Sequence, residues 1–187
     1  MKPIVSIVIV CMNKFSNLEI CLPSIEKFTM TPHKIYVVAY LFSPENLEKI
    51  KCNFPYVNII ESNEIRGFSE NNNLALREID TEYTFILNDD TEFIEPVLDK
   101  LLESLEKTSD ATVMSPVQWN AERRLLSSGR RKETFGAYMF NLLFKYRKKY
   151  SKFENQDGIF MSYTVSGAAF LIYTEAFKEI GFFNEFY

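Results

Sequence analysis

The chain has 187 residues, 47% of them hydrophobic, and a formal net charge of −4. That is the size and apolar content of one ordinary domain with a core of its own. Three cysteines (Cys11, Cys21, Cys52) without a CxxC pair and one histidine, His33, exclude a disulfide framework and a zinc site of ordinary spacing, which is the usage of a reduced, cytoplasmic protein.

The run IVSIVIV, residues 4–10, is continuous and β-branched, as in a strand covered on both faces of a parallel sheet. It lacks the small-residue cleavage site of a secretory signal and is far shorter than the roughly 20 apolar residues of a membrane span. Leu18, Cys21, Leu22, Ile25 and Phe28 then recur at helical spacing over residues 17–28, where Pro23 predicts a kink or a late start. KIYVVAYLF reads as the second strand. Ser43 and Pro44 before ENLEKI form a helix start, with a hydroxyl cap, a proline at the first helical position and an acid in the first turn.

VNIIES is the third strand. In GFSENNNLALREI, Gly67 reads as a turn and Ser69 as a helix cap, with Leu74, Leu76 and Ile79 as apolar positions; YTFILN is the fourth strand. Residues 96–107 predict an amphipathic helix and ATVMSPV a further strand. FGAYMFNLLFKYRKKYSKF admits either an amphipathic helix or a loop. YTVSGAAFLIY reads as one strand, and residues 174–180, closed by Gly181, as a short helix. Strands alternating with helices over short connections imply βαβ units: an α/β fold with a mostly parallel, doubly wound sheet and helices on both faces.

Charge is unevenly spread. Ten of the 21 basic residues, against the single acid Glu133, lie in segment 123–152, whereas the rest of the chain is acidic. A basic, aromatic-rich segment on an acidic body points to a local anionic contact, with a substrate or with a membrane surface at its inner face. The bland alternative is a solvated helix face. No nucleic-acid motif accompanies the charge, so no nucleic acid is expected as partner.

Asn88, Asp89 and Asp90 follow the fourth strand directly. Adjacent carboxylates repel unless water, a cation or donors offset them. In open α/β sheets ligands gather beyond the carboxyl ends of strands, and a carboxylate held there with a second oxygen ligand suits magnesium or manganese together with substrate phosphates. Taken alone, the pair reads as well as a solvated turn.

Four separated stretches sharpen this: VSIVIVCMNK, RGFSENNNLAL, FILNDDTEF and VSGAAFLIYTEAFKEIGFFNEFY. Together they resemble family 2 glycosyltransferases of the GT-A type, and in particular rhamnosyltransferase-like members that build surface polysaccharides. The resemblance implies transfer of a sugar from a nucleotide-diphosphate donor to a glycan or lipid-linked acceptor, with inversion and a divalent cation, Mn or Mg. Asp90 would reach the metal, while Asn88 and Asp89 sit against the ribose and metal shell. Cys11, Met12 and Asn13 would line the nucleoside pocket, Gly67 would form a turn and Asn73 would lie near the nucleotide. Ser166, Gly167 and Ala168 would face sugar or acceptor.

Two departures accompany the match. Where the family commonly has a base-reading aspartate at the end of the second strand, this chain has Ala39. The acidic pair that supplies the catalytic base is expected beyond Tyr187, and Glu185 matches a structural acidic position. The expectation is therefore a single domain over residues 1–187, with a nucleotide-binding part (1–119) and an incomplete acceptor-side part (120–187). A non-catalytic nucleotide-sugar or glycan-binding domain stays open as the alternative.

Overall fold

The computed structural model describes residues 2–124, 126, 129–130, 162 and 164–186. In chain order these form β1 (Val5–Met12), α1 (Phe15–Phe28), β2 (His33–Tyr40), α2 (Pro44–Asn53), β3 (Val57–Ser62), α3 (Phe68–Leu76), β4 (Tyr83–Asn88), α4 (Val97–Lys107), β5 (Val113–Met114), β6 (Gly129–Arg130), β7 (Thr164–Val165), β8 (Ala169–Tyr173) and α5 (Thr174–Glu179). The described residues give one six-stranded sheet in the order β3-β2-β1-β4-β8-β5 and a separate β6-β7 pair. Strands β1 to β4 run parallel, and β8 runs antiparallel to both β4 and β5. This is the mostly parallel α/β sheet that the alternation of elements predicts.

The chain divides into two compact units, Met1–Pro116 with Gly167–Tyr187, and Val117–Ser166. The first holds the six-stranded sheet, and β8 and α5 belong to it although they follow the second unit in sequence. Most of the basic segment, and the FGAYMFNLLFKYRKKYSKF stretch on which helix and loop were both open, lie outside the described residues.

Central strand β1 is apolar on both faces because both are covered: Val5, Ile7, Val8, Ile9 and Cys11 have no exposed surface. On one face Val8, Val38 and Ile86 pack with Ala75 and Leu76 of α3 and with Phe170 and Phe177. Strand alternation turns Ile7, Ile9 and Phe85 to the other face, where α1 buries Leu18, Leu22 and Ile25. Helix α1 carries Pro23 in its interior and starts at Phe15, two residues earlier than the apolar spacing indicates.

Two local expectations need correction. Ser43 does cap α2, its hydroxyl accepting from Asn46 N at 3.2 Å, but Ser69 caps nothing. Gly67 is the N-cap of α3 and Ser69 lies inside the first turn; the cap is made from within the helix, where Glu70 Oε2 accepts from Gly67 N at 2.7 Å. YTVSGAAFLIY is not one strand. It breaks at a turn over Gly167 and Ala168, so that β7 pairs with β6 while β8 enters the six-stranded sheet. Pure apolar content cannot reveal such a break; the Ser-Gly pair inside the run was its only sign.

Candidate active site

From β1 the chain winds outward through β2 to β3, then returns to lay β4 on the opposite side of β1. The carboxyl ends of β1 and β4 are therefore a topological switch point, the place where ligands of open α/β sheets gather. Register puts Val10 of β1 beside Asn88 of β4, and Cys11 beside Ala39 of β2. Cys11, Met12, Asn13, Ala39 and Asn88 to Asp90 thus come together at one edge of the sheet.

Asp89 and Asp90 form the apex of a loop that is anchored on both flanks. On its near side Asn88 N donates to Ala168 O at 2.8 Å, so the turn over Gly167 and Ala168 sits directly against the acidic loop. Thr91 Oγ1 closes the turn on Asn88 O at 2.8 Å and lies 3.9 Å from Cys21 Sγ. Beyond it Phe93 N donates to the buried hydroxyl of Ser24, which itself donates to Cys21 O, and the Phe93 ring stacks edge-on against Phe85. One helix, α1, thereby fixes the far side of the loop.

Beneath the apex lie two buried thiols. Burial first, and Asp89 second, push Cys11 far above the ordinary thiol range, and burial pushes Cys21 up to about 12. Both stay protonated at neutral pH and carry no negative charge into the carboxylate pair. Asp90 is exposed and Asp89 half-buried. Among the described residues no group of three His, Cys, Asp or Glu side chains stands ready for a metal. What the loop offers is two adjacent carboxylates, Asp90 exposed and Asp89 half-buried. That donor set fits a hard cation such as Mg or Mn, which takes one or two protein carboxylates and completes its shell with water and phosphate oxygens.

Asn13 has a left-handed backbone, φ 50°, and its Oδ1 accepts from Ser43 N at 3.0 Å and Asn46 Nδ2 at 2.9 Å. It ties the end of β1 to the start of α2. Met12 beside it is 59% exposed, whereas Ala39 is buried between Cys11 and Glu61, where its methyl group offers no acceptor.

The Arg66–Gly67 turn is held by residues that sequence reasoning did not single out. Arg66 N donates to Tyr40 OH, and the Arg66 guanidinium donates to Ser62 Oγ and Glu64. Ser62 Oγ in turn donates to Asn71 Oδ1, and Asn71 Nδ2 bonds the carbonyls of Arg66 and Gly67. Gly167 approaches this turn: a Cβ built on it would lie 3.8 Å from the ring of Phe68. Ser166 belongs to the second unit.

Asn73 is directed elsewhere. It is 1% exposed and its carboxamide faces the segment after α5: Nδ2 donates to Phe183 O and Glu185 Oε1, and Oδ1 accepts from Phe183 N. Arg77 also donates to Glu185, at 2.7 Å, and both residues line an open cleft of about 440 Å3 with Ile180 to Phe186. Three consecutive asparagines inside a helix, all 1% exposed, were the overlooked signal, because asparagine is a poor helix former that is buried only when its amide is used.

A model of the family described as glycosyl transferase family 2 matches residues 6–181, almost the whole chain. The chain belongs to glycosyl transferase family 2. No curated protein sequence is matched. Among solved structures, this family 2 chain is similar to the mannosyltransferase PcManGT from Pyrobaculum calidifontis in complex with GDP-Man and Mn2+, at TM-score 0.67 and 16% identity over 100% of this chain and 49% of that one. It is also similar to TarS 1–349 of S. aureus, at TM-score 0.62 and 15% identity over 100% of this chain and 51% of that one. The chain thus spans about half the length of these structures, and at such identity the likeness speaks for a shared GT-A-type fold.

Proposed function

We propose that the chain is a glycosyltransferase domain that takes a sugar from a nucleotide-diphosphate donor, with a divalent cation, and passes it with inversion to a glycan or lipid-linked acceptor. The observation that carries this reading is the placement of the Asp89–Asp90 apex at the switch point of a family 2 sheet, between the β1 end and the turn over Gly167 and Ala168. The GDP-Man and Mn2+ of the neighbouring mannosyltransferase support the same donor and cofactor class.

In this reading Asp89 and Asp90 hold the cation, Mn or Mg, which when bound stabilises the charge of the departing diphosphate. The pinned loop keeps the two carboxylates in place before substrate arrives, so little ordering is needed on binding. Gly167 and Ala168 present backbone, not bulk, beside the acids, leaving space for the sugar. Glu185 is not the base: Asn73 and Arg77 donate to its carboxylate and stabilise it, the opposite of what a general base needs. Its role is to fasten the segment after α5.

Among the described residues no helix is long and apolar enough to cross a membrane. Cytoplasmic placement, with basic segment 123–152 against an anionic inner membrane face, completes the proposal and agrees with a lipid-linked acceptor in polysaccharide assembly.

The deciding experiment measures the melting temperature with UDP-, dTDP- and GDP-sugars, with and without manganese, because a ligand selective for the folded state must stabilise it. A manganese-dependent rise with at least one donor, lost in Asp90→Ala, is expected. Equal melting curves for Asp90→Ala and the unsubstituted chain at saturating donor would overturn the reading.

A further inference from the structure

Past its apex the acidic loop is laid along α1 and runs the same way. Thr91 Oγ1 stands 3.9 Å from Cys21 Sγ, and Phe93 N donates to Ser24 Oγ at 3.0 Å. Asp99, in the first turn of α4, then meets the turn that follows α1, where its carboxylate accepts from Met30 N at 3.0 Å, from Thr31 N at 2.9 Å and from the Thr31 hydroxyl. Three fastenings thus follow one another in step along residues 21–31, and the last is the most heavily bonded. Part-burial works to raise the Asp99 carboxyl, yet the bonds from Thr31 and Met30 outweigh it and hold the group below the ordinary aspartate range, which keeps it an ionised acceptor at neutral pH.

We propose that Asp99, which lies outside the candidate active site, is a positioning residue for the Asp89–Asp90 pair. The inference rests on the transferase reading and deepens it. A single bond, Phe93 to Ser24, fixes a point on the chain and leaves its direction free; a second anchor farther on sets the direction. Asp99 supplies that anchor because the first turn of α4 is stiff. Lys100 N bonds Pro96 O at 3.2 Å, so holding Asp99 holds Pro96, and only Ile94 and Glu95 separate Pro96 from Phe93. The gripped turn is itself held, by Ile4 N on Pro32 O at 2.9 Å and by His33 Nδ1 on Thr31 O at 2.8 Å.

That turn precedes β2, whereas the acids follow β4. Asp99 therefore acts on the cation pair from the opposite end of the sheet, with the length of β2, eight residues or roughly 26 Å, between them. An acid in the first turn of a helix is favourable anywhere, from the helix dipole alone. An acid that takes two backbone N–H groups and a hydroxyl from another segment has a second task.

The test measures Mn2+ affinity in the presence of UDP, GDP or dTDP, from the electron paramagnetic resonance of the free ion, together with amide exchange at Phe93. Asp99→Ala removes all three bonds, Asp99→Asn keeps the shape and one acceptor oxygen, and Thr31→Val deletes only the hydroxyl. Ile50→Val, which takes a methyl group from the core under α2, is the control for lost stability.

Manganese affinity should fall about fivefold in Asp99→Ala, less in Asp99→Asn and least in Thr31→Val. Exchange at Phe93 should quicken in the same order, nucleotide binding without metal should stay unchanged, and Ile50→Val should keep the manganese affinity of the unsubstituted chain. Unchanged manganese affinity in a folded Asp99→Ala overturns the inference, and so does an equal loss in Ile50→Val. Should Asp99→Ala not fold, Asp99→Asn and Thr31→Val decide, and unchanged affinity in both overturns it. If the unsubstituted chain binds no manganese with any of these nucleotides, the transferase reading falls and takes this inference with it, whereas manganese binding that ignores Asp99 removes only the latter.

Discussion

Asn73 holds Phe183 through both ends of its carboxamide, Nδ2 donating to the Phe183 carbonyl at 2.9 Å and Oδ1 accepting from its N–H at 3.1 Å. The pairing imitates a strand ladder across 110 residues of sequence and presses the Phe183 ring onto Phe68, Phe170 and Phe177. Replacing Asn73 by alanine takes its partner from the part-buried N–H and C=O of Phe183, which costs about 1 kcal/mol. Urea unfolding of Asn73→Ala should show a lower midpoint, and amide exchange at Phe183 should quicken. An unchanged midpoint would mean that the clamp contributes nothing.

Glu185 gives the same segment a dependence on pH. The hydrogen bond from Asn73, joined by that from Arg77, holds its carboxyl below the ordinary glutamate range. A depressed folded-state pKa stabilises the fold above the unfolded value, about 4.3, and that contribution disappears as pH falls through the folded value. Glu185→Gln should therefore unfold at a lower urea concentration than the unsubstituted chain at pH 7, and the gap should narrow as pH drops below about 4. A gap that widens on acidification contradicts the sign.

Thr91 tests the anchoring of the acidic loop. Thr91→Val keeps the shape of the side chain and deletes the hydroxyl that closes the turn on Asn88 O. Manganese-dependent donor binding should weaken by about tenfold, the worth of one well-placed hydrogen bond, while Thr91→Ser should restore it. Identical manganese titrations for the valine and serine variants would show that the loop keeps its form without this bond.

Thiol chemistry reports on the two cysteines under that loop. Cys52 is exposed, whereas Cys11 and Cys21 have no exposed surface and are held protonated. A disulfide reagent at pH 8 should label Cys52 alone in the native chain and all three thiols in denaturant. Rapid native labelling of Cys11 would mean that the end of β1 opens to the reagent.

Much of the sheet was legible from residue pattern. VNIIES and YTFILN are β3 and β4 to the residue, because β-branched and aromatic runs bounded by polar residues leave little choice of period. Ser43 was readable as a cap for the same local reason. What escaped was long-range. Nothing near Asn73 in sequence says that its partner is Phe183, and nothing near Ser24 says that its hydroxyl serves Phe93. Gly67 displaced Ser69 as cap because Glu70, three residues on, could supply the acceptor, a competition between neighbours that composition does not rank. At the candidate site the strand ends and the NDD turn were visible, but the fasteners of the turn, Ser24 and Thr91, were not, since single hydroxyls carry no periodicity.

The antiparallel course of β8 has one more consequence. Met114 of β5 lies opposite Leu171, and the Ser115 hydroxyl grips the Ala169 carbonyl at 2.7 Å, so the chain leaves the sheet and rejoins it at almost the same spot. To the sheet, the fifty-odd residues in between are a single excursion with a stapled neck. Closure entropy grows only slowly with loop length, so a change in the length of this connection costs the six-stranded sheet little.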